Sequence, residues 1–147
     1  MCDMGRLSLS IVLPVYRNEG SIPELVERLA ALCSRWEGPL EAVFVVDGSP
    51  DKSEEAIVQE LRARALPATV VTLSRNFGSF AAIRSGMSSA GGDLIAVMAA
   101  DLQEPPELVL ELAAKVRDEG FDVVVGTRSG REDAAFARAA SSLFWRF

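Results

Sequence analysis

The segment Leu9-Ser10-Ile11-Val12-Leu13-Pro14-Val15 runs straight into Tyr16-Arg17-Asn18-Glu19-Gly20. The first part is a short apolar run rich in β-branched residues, bounded by turn residues, which is the pattern of a buried strand. The second part is polar and ends in glycine, so the strand stops there in a turn. Pro14 sits near the strand's exit, where its missing N–H does least harm to a ladder.

Outward from this strand, elements alternate in type. Ser21-Ile22-Pro23-Glu24 has the form of a capping box, and Leu25, Leu29, Leu32, Cys33 and Trp36 recur on one helical face before Gly38-Pro39. Residues 42–46 read as a second strand. Asp51-Lys52-Ser53-Glu54 can then cap a helix that carries Ile57, Val58 and Leu61. Residues 70–73 form a third strand, and Asn76-Phe77-Gly78 leads into an alanine-rich helix ending near Ser89, with Gly91-Gly92 as its stop. Strands are further expected at 94–98 and 122–125, on either side of a helix over 107–119. Strands alternating with helices of this length predict an α/β, doubly wound, mainly parallel sheet with helices on both faces. The expected organisation is an N-terminal tail over 1–8 and one domain over 9–147.

The 147 residues are 49% hydrophobic, enough to fill one core. A net charge of −6 without charge blocks gives no nucleic-acid footprint, since arginines gather only near the C-terminus. No apolar run approaches the roughly 20 residues of a membrane helix, and residues 1–10 lack the regions of a signal peptide. Cys2 and Cys33 are poorly placed for a structural disulfide. The chain has no histidine, which excludes Ser-His-Asp and Cys-His catalysis and histidine-ligated zinc. Carboxylates, arginines and amides remain, and oxygen ligands favour Mg2+ or Mn2+.

Sheets of this kind bind ligands beyond the carboxyl ends of their strands. Polar clusters fall there after each expected strand: Arg17-Asn18-Glu19, Asp47-Gly48-Ser49, Ser74-Arg75-Asn76, Asp101-Leu102-Gln103 and Arg128. Asp47 ends an apolar strand, so its carboxylate either meets a ligand, such as a uracil or ribose edge, or caps the turn that Ser49 and Asp51 secure. Asp101 precedes Leu-Gln-Glu-Pro-Pro-Glu, where two prolines stiffen the loop and start a helix. It can cap that helix, or join the amide oxygen of Gln103 in sharing Mg2+ or Mn2+ with a diphosphate. Arg128 and Arg131, with Arg138 beyond, offer bidentate phosphate donors, although a solvated helix face of mixed charge has the same pattern.

The ordered set Val12-Leu13-Pro14-Val15-Tyr16-Arg17-Asn18-Glu19, Val46-Asp47-Gly48-Ser49-Pro50-Asp51, Asp101-Leu102-Gln103-Glu104-Pro105-Pro106-Glu107 and Gly126-Thr127-Arg128 resembles glycosyltransferase family 2, inverting enzymes of the GT-A fold. Leu73-Ser74-Arg75-Asn76-Phe77-Gly78, with Arg128, Arg131 and Asp133, looks most like the polyprenyl-phosphate branch of that family. The resemblance implies that Pro14, Tyr16, Glu19 and Asp47 line the nucleotide pocket and that Asp101 and Gln103 meet a Mg2+ or Mn2+ ion. It also implies that Asp101, Arg128 and Arg131 serve catalysis at the diphosphate. The implied partners are a UDP- or GDP-linked sugar and a polyprenyl-phosphate acceptor, with no nucleic acid, and a homo-oligomer is allowed. The full-length relatives of this branch imply further catalytic sequence and membrane helices after these residues, and a place at the cytoplasmic face of a membrane. The aromatic, basic end Leu143-Phe144-Trp145-Arg146-Phe147 reads as an amphipathic helix made to pack on such sequence or on a membrane surface.

One position departs from the family pattern: Ala99 stands where these enzymes usually carry the first aspartate of Asp-x-Asp. The expectation is a metal site that is weakened and not abolished. A nucleotide-sugar-binding domain without turnover is the alternative that this departure favours.

Overall fold

The computed structural model describes residues 7–127. Four strands, β1 (Leu9–Val15), β2 (Leu40–Asp47), β3 (Ala68–Leu73) and β4 (Leu94–Val97), form one parallel sheet in the order β3-β2-β1-β4. The helices between and after them are α1 (Ile22–Cys33), α2 (Ser53–Ala63), α3 (Ser79–Ser89) and α4 (Leu108–Glu119). The pairing register runs from Leu9 opposite Leu40 and Leu94 to Val15 opposite Val46, which brings the carboxyl ends of β1 and β2 level.

Because side chains alternate across a strand, β1 feeds two cores at once. Leu9, Ile11, Leu13 and Val15 pack with Ile22, Leu25, Val26, Leu29 and Leu32 of α1, with Ile57 of α2 and with Val109 and Ala113 of α4. Val12 faces the other way, with Val43, Val45 and Ala82 of α3. This is the expected doubly wound arrangement. The alanine-rich character of α3 has a cause in this packing: a Cβ on Gly86 would overlap Val12 Cγ1 and lie 2.9 Å from Val45 Cγ2, so small residues set how closely the helix approaches.

Two local expectations are corrected. The capping box at Ser21 does not form, because the Ser21 hydroxyl donates to the carbonyl of Ala100 at 2.7 Å and to that of Asn18 at 3.1 Å. Its role is tertiary, tying the start of α1 to the loop after β4. Residues 122–125 are not a strand, and Val123 and Val125 are 75% and 74% exposed. A run of valines makes a strand only where a partner supplies the ladder, and among the described residues none does.

The amino ends of the strands are tied together by hydrogen bonds. Buried Ser10 donates to Glu41 Oε1 at 2.6 Å and accepts the N–H of Gly92 at 2.8 Å, while Asp93 accepts both the N–H and the hydroxyl of Ser8. Those two bonds from Ser8 hold the Asp93 carboxyl below its ordinary range.

Candidate functional site

At the opposite, carboxyl edge the chain opens a cavity of about 340 Å³. Pro14, Val15, Tyr16 and Asn18 line it from β1 and its loop, Asp47 from β2, Asn76, Gly78 and Ser79 from the β3–α3 corner, and Ala99, Ala100 and Asp101 from the loop after β4. Four strand ends therefore contribute, as the position of the polar clusters predicts. Of the nominated residues, Pro14, Tyr16, Asp47 and Asp101 share this lining. Glu19 and Gln103 are outside it but adjoin it in sequence, and Arg128, Arg131 and Arg138 lie outside the described residues.

Asn18 and Asn76 line the cavity without having been assigned a role from sequence. Each stands in a strand-exit loop, and each amide oxygen accepts a backbone N–H two residues away, from Tyr16 at 2.9 Å and from Gly78 at 3.0 Å. That turn-forming habit of asparagine was the available signal. Among the described residues, the two non-glycine positions with left-handed backbone are Arg17, with φ of 57°, and Leu102, with φ of 59°. One flanks Tyr16 and the other Asp101. Strained backbone of this kind concentrates where a site must hold a fixed shape.

Glu19 acts between loops. Its carboxylate accepts the N–H of Lys52 at 2.8 Å, and its own N–H donates to Asp51 at 3.1 Å. Ser49 and Ser53 extend the clasp, since their hydroxyls accept the N–H groups of Arg17 and Asn18 and donate to Asp51 at 2.5 and 2.7 Å. Partial burial by itself raises the Asp51 carboxyl. The two hydroxyls and the N–H groups of Glu19 and Ser53 outweigh it and bring the group down to about 2. A depressed folded-state value gives stability that is present above the unfolded value and lost as pH falls through the folded one, here between about pH 4 and pH 2. Asp51→Asn is therefore expected to flatten the dependence of unfolding free energy on pH in that window. Denaturant titrations at several acidic pH values check this, and an unaltered slope would remove the clasp from the account.

Asp101 is exposed at the rim, and its Oδ1 accepts the N–H of Gln103 at 3.1 Å. The loop that carries it is anchored at its far end by Glu107, whose oxygens take Arg28 Nε at 3.3 Å and Nη2 at 2.5 Å. The hydrogen bonds from Arg28 hold the Glu107 carboxyl below its usual range. Among the described residues no group of three histidine, cysteine, aspartate or glutamate side chains gathers to hold a metal. One exposed carboxylate, with Gln103 two residues on, suits an ion shared with a phosphate ligand. It does not suit a cage made by protein alone.

The description "Glycosyl transferase family 2" belongs to the family model that matches residues 10–147. Over 135 residues the chain is 42% identical to the undecaprenyl-phosphate 4-deoxy-4-formamido-L-arabinose transferase of Salmonella paratyphi A, covering 92% of this chain and 41% of that protein. The chain thus spans about two fifths of the length of the curated relatives it matches. Among solved structures it is similar to S. aureus TarS 1-349 in complex with UDP-GlcNAc, with a TM-score of 0.64 and 24% identity, over 85% of this chain and 37% of that one. It is also similar to the mannosyltransferase PcManGT of Pyrobaculum calidifontis in complex with GDP-Man and Mn2+, with a TM-score of 0.54 and 22% identity, over 65% of this chain and 28% of that one. These two likenesses establish the fold.

Proposed function

This chain belongs to glycosyltransferase family 2, and from that premise we propose that it holds the donor site of an enzyme that moves a sugar from a nucleoside diphosphate to a polyprenyl phosphate. The observation that carries the reading is the convergence of Tyr16, Asn18, Asp47, Asn76 and Asp101 on one cavity at the carboxyl edge of the sheet. Pro14 and Tyr16 supply apolar and aromatic walls, Asp47 lies at the floor, and Asp101 stands where the diphosphate would meet solvent. A UDP- or GDP-linked sugar fits this description equally. The acceptor class is drawn from the 42% identical relative.

Asp101 and Gln103 would hold Mg2+ or Mn2+ together with the diphosphate, and the ion supplies charge neutralisation for the departing group. Arg128 and Arg131 belong to the same reading as hydrogen-bond donors to the phosphates. The acceptor phosphate attacks the anomeric carbon as the bond to the diphosphate breaks, with inversion. A phosphomonoester is already largely ionised at neutral pH, having a second pKa of about 6, so no histidine is required to take its proton. This agrees with the absence of histidine in the chain.

A thermal-shift screen of nucleoside diphosphates and nucleotide sugars with and without Mn2+ tests the donor site. The expected result is a rise in melting temperature for at least one nucleotide, larger with the metal, and no shift with any of them would remove the reading. Because Ala99 lines the same cavity, Ala99→Asp adds a second carboxylate two residues from Asp101. It should strengthen manganese-dependent binding roughly tenfold by calorimetry. Unchanged affinity would place the metal elsewhere. The lost aspartate also supports a second reading, in which the domain binds nucleotide sugars without turnover. Binding with no product from any donor and lipid phosphate would favour that one.

A further inference from the structure

The sequence leaves Asp47 either to meet a uracil or ribose edge or to cap its turn, and its surroundings point to a different task. The residue is 3% exposed, and both carboxylate oxygens are engaged: Oδ1 accepts the N–H of Phe77 at 2.8 Å and Oδ2 that of Gly78 at 2.9 Å. Next to it, Gly48 has a left-handed φ of 58° and presses on the same loop. A Cβ there would overlap the backbone of Asn76 and lie 2.7 Å from Arg75 Cα. The end of β2 therefore grips the β3–α3 loop twice, by charge-assisted hydrogen bonds and by backbone contact. That loop supplies Asn76, Gly78 and Ser79 to the cavity. The carboxylate also lies at the start of α3, where unpaired N–H groups favour a negative charge.

We infer that Asp47 is a positioning residue that, with Gly48, fixes the Asn76–Gly78 wall of the nucleotide pocket, and that it does not itself select the base. The inference rests on the donor-site reading above. It separates two roles that a carboxylate in this place can have. A carboxylate that reads a base accepts an N–H from the base edge, so replacing it by an amide changes which base is preferred. A carboxylate that holds a wall affects every nucleotide alike.

Asp47→Asn keeps the shape of the side chain but replaces one acceptor oxygen with an NH2 group that opposes a backbone donor. Titration of UDP, CDP and GDP into the folded wild-type and variant chains, with Mn2+ present, measures the effect. The expected result is a roughly tenfold weakening for every nucleotide that the wild type binds, with their order of preference unchanged. Gly48→Ala should give the same pattern, because its Cβ displaces the same loop. A change of preference, above all a gain for CDP over UDP, would overturn the inference in favour of direct base reading. A lowered melting temperature with unaltered affinities would overturn it in favour of a purely structural role.

Amide hydrogen exchange gives a readout that needs no ligand. Phe77 and Gly78 should be protected in the wild type and lose protection in Asp47→Asn, while the amides of β2 and β3 keep theirs. Unprotected amides in the wild type would overturn the grip itself. If the wild type bound no nucleotide, the donor-site reading would fail and the selection claim with it, and exchange would still decide whether Asp47 holds the loop.

Discussion

Asp101→Asn is expected to weaken manganese-dependent binding of a nucleoside diphosphate by roughly a hundredfold or more, while binding without metal stays within roughly twofold. The reason lies in how few carboxylates the cavity offers. Asp47 spends both oxygens on backbone N–H groups, and Ala99 offers none. Asp101 is exposed at the rim, and its Oδ1 accepts the N–H of Gln103. Asparagine can still accept the Gln103 N–H, so the loop keeps its shape while the negative charge goes. Calorimetry with and without Mn2+ separates the two effects. Equal metal dependence in wild type and variant would show that Asp101 is not the ligand.

Phe44→Ala is expected to cost about 3–5 kcal/mol of unfolding free energy. Phe44 is fully buried at the centre of the sheet, opposite Leu13 on one side and Val70 on the other. It lies in the core shared by α1, α2 and α4, and its truncation leaves a cavity there that the sheet cannot close. Against the 5–15 kcal/mol typical of a domain, such a loss leaves the protein marginal. Equilibrium denaturation of the whole chain measures it, and a loss below about 1 kcal/mol would contradict the proposed centre of the core.

The elements that were legible in the sequence are those in which local pattern and tertiary demand agree. The first strand and α3 fall where the apolar run at Leu9 and the glycine at Gly78 place them. The second strand is longer than its apolar pattern suggests, extending back to Leu40 because β1 pairs with it from there to Val46, and forward to Asp47 because β3 pairs with that residue through Leu73. A register of that kind is a property of two segments together. The valines at 123–125 illustrate the converse, since a β-branched run without a partner is not a strand.

The candidate site divides in the same way. That polar residues after each strand would meet at one edge follows from the topology of a parallel sheet, and Tyr16, Asp47 and Asp101 do meet. What each carboxylate does could not be read from its position in a motif. Glu19 and Asp51 knit the first two loops together, and Asp47 holds a third. These partners are separated by some thirty residues in sequence, and the hydrogen bonds appear only when the strand ends are placed side by side. The strained backbone at Arg17 and Leu102 is likewise invisible in residue types that have no preference for a left-handed conformation.

The central claim, a nucleotide-diphosphate site at the carboxyl edge with its metal at Asp101, is tested most directly by amide NMR of the whole chain with Mn2+ and a nucleoside diphosphate. A paramagnetic ion broadens the signals of nearby amides, so the ion reports its own position. The account predicts the strongest broadening at Ala100, Asp101 and Leu102, with nucleotide-induced shifts at Tyr16, Asn18, Asn76 and Gly78. Broadening centred elsewhere, for instance on the paired carboxylates Glu54 and Glu55 of α2, with those loop amides unmoved, would contradict it.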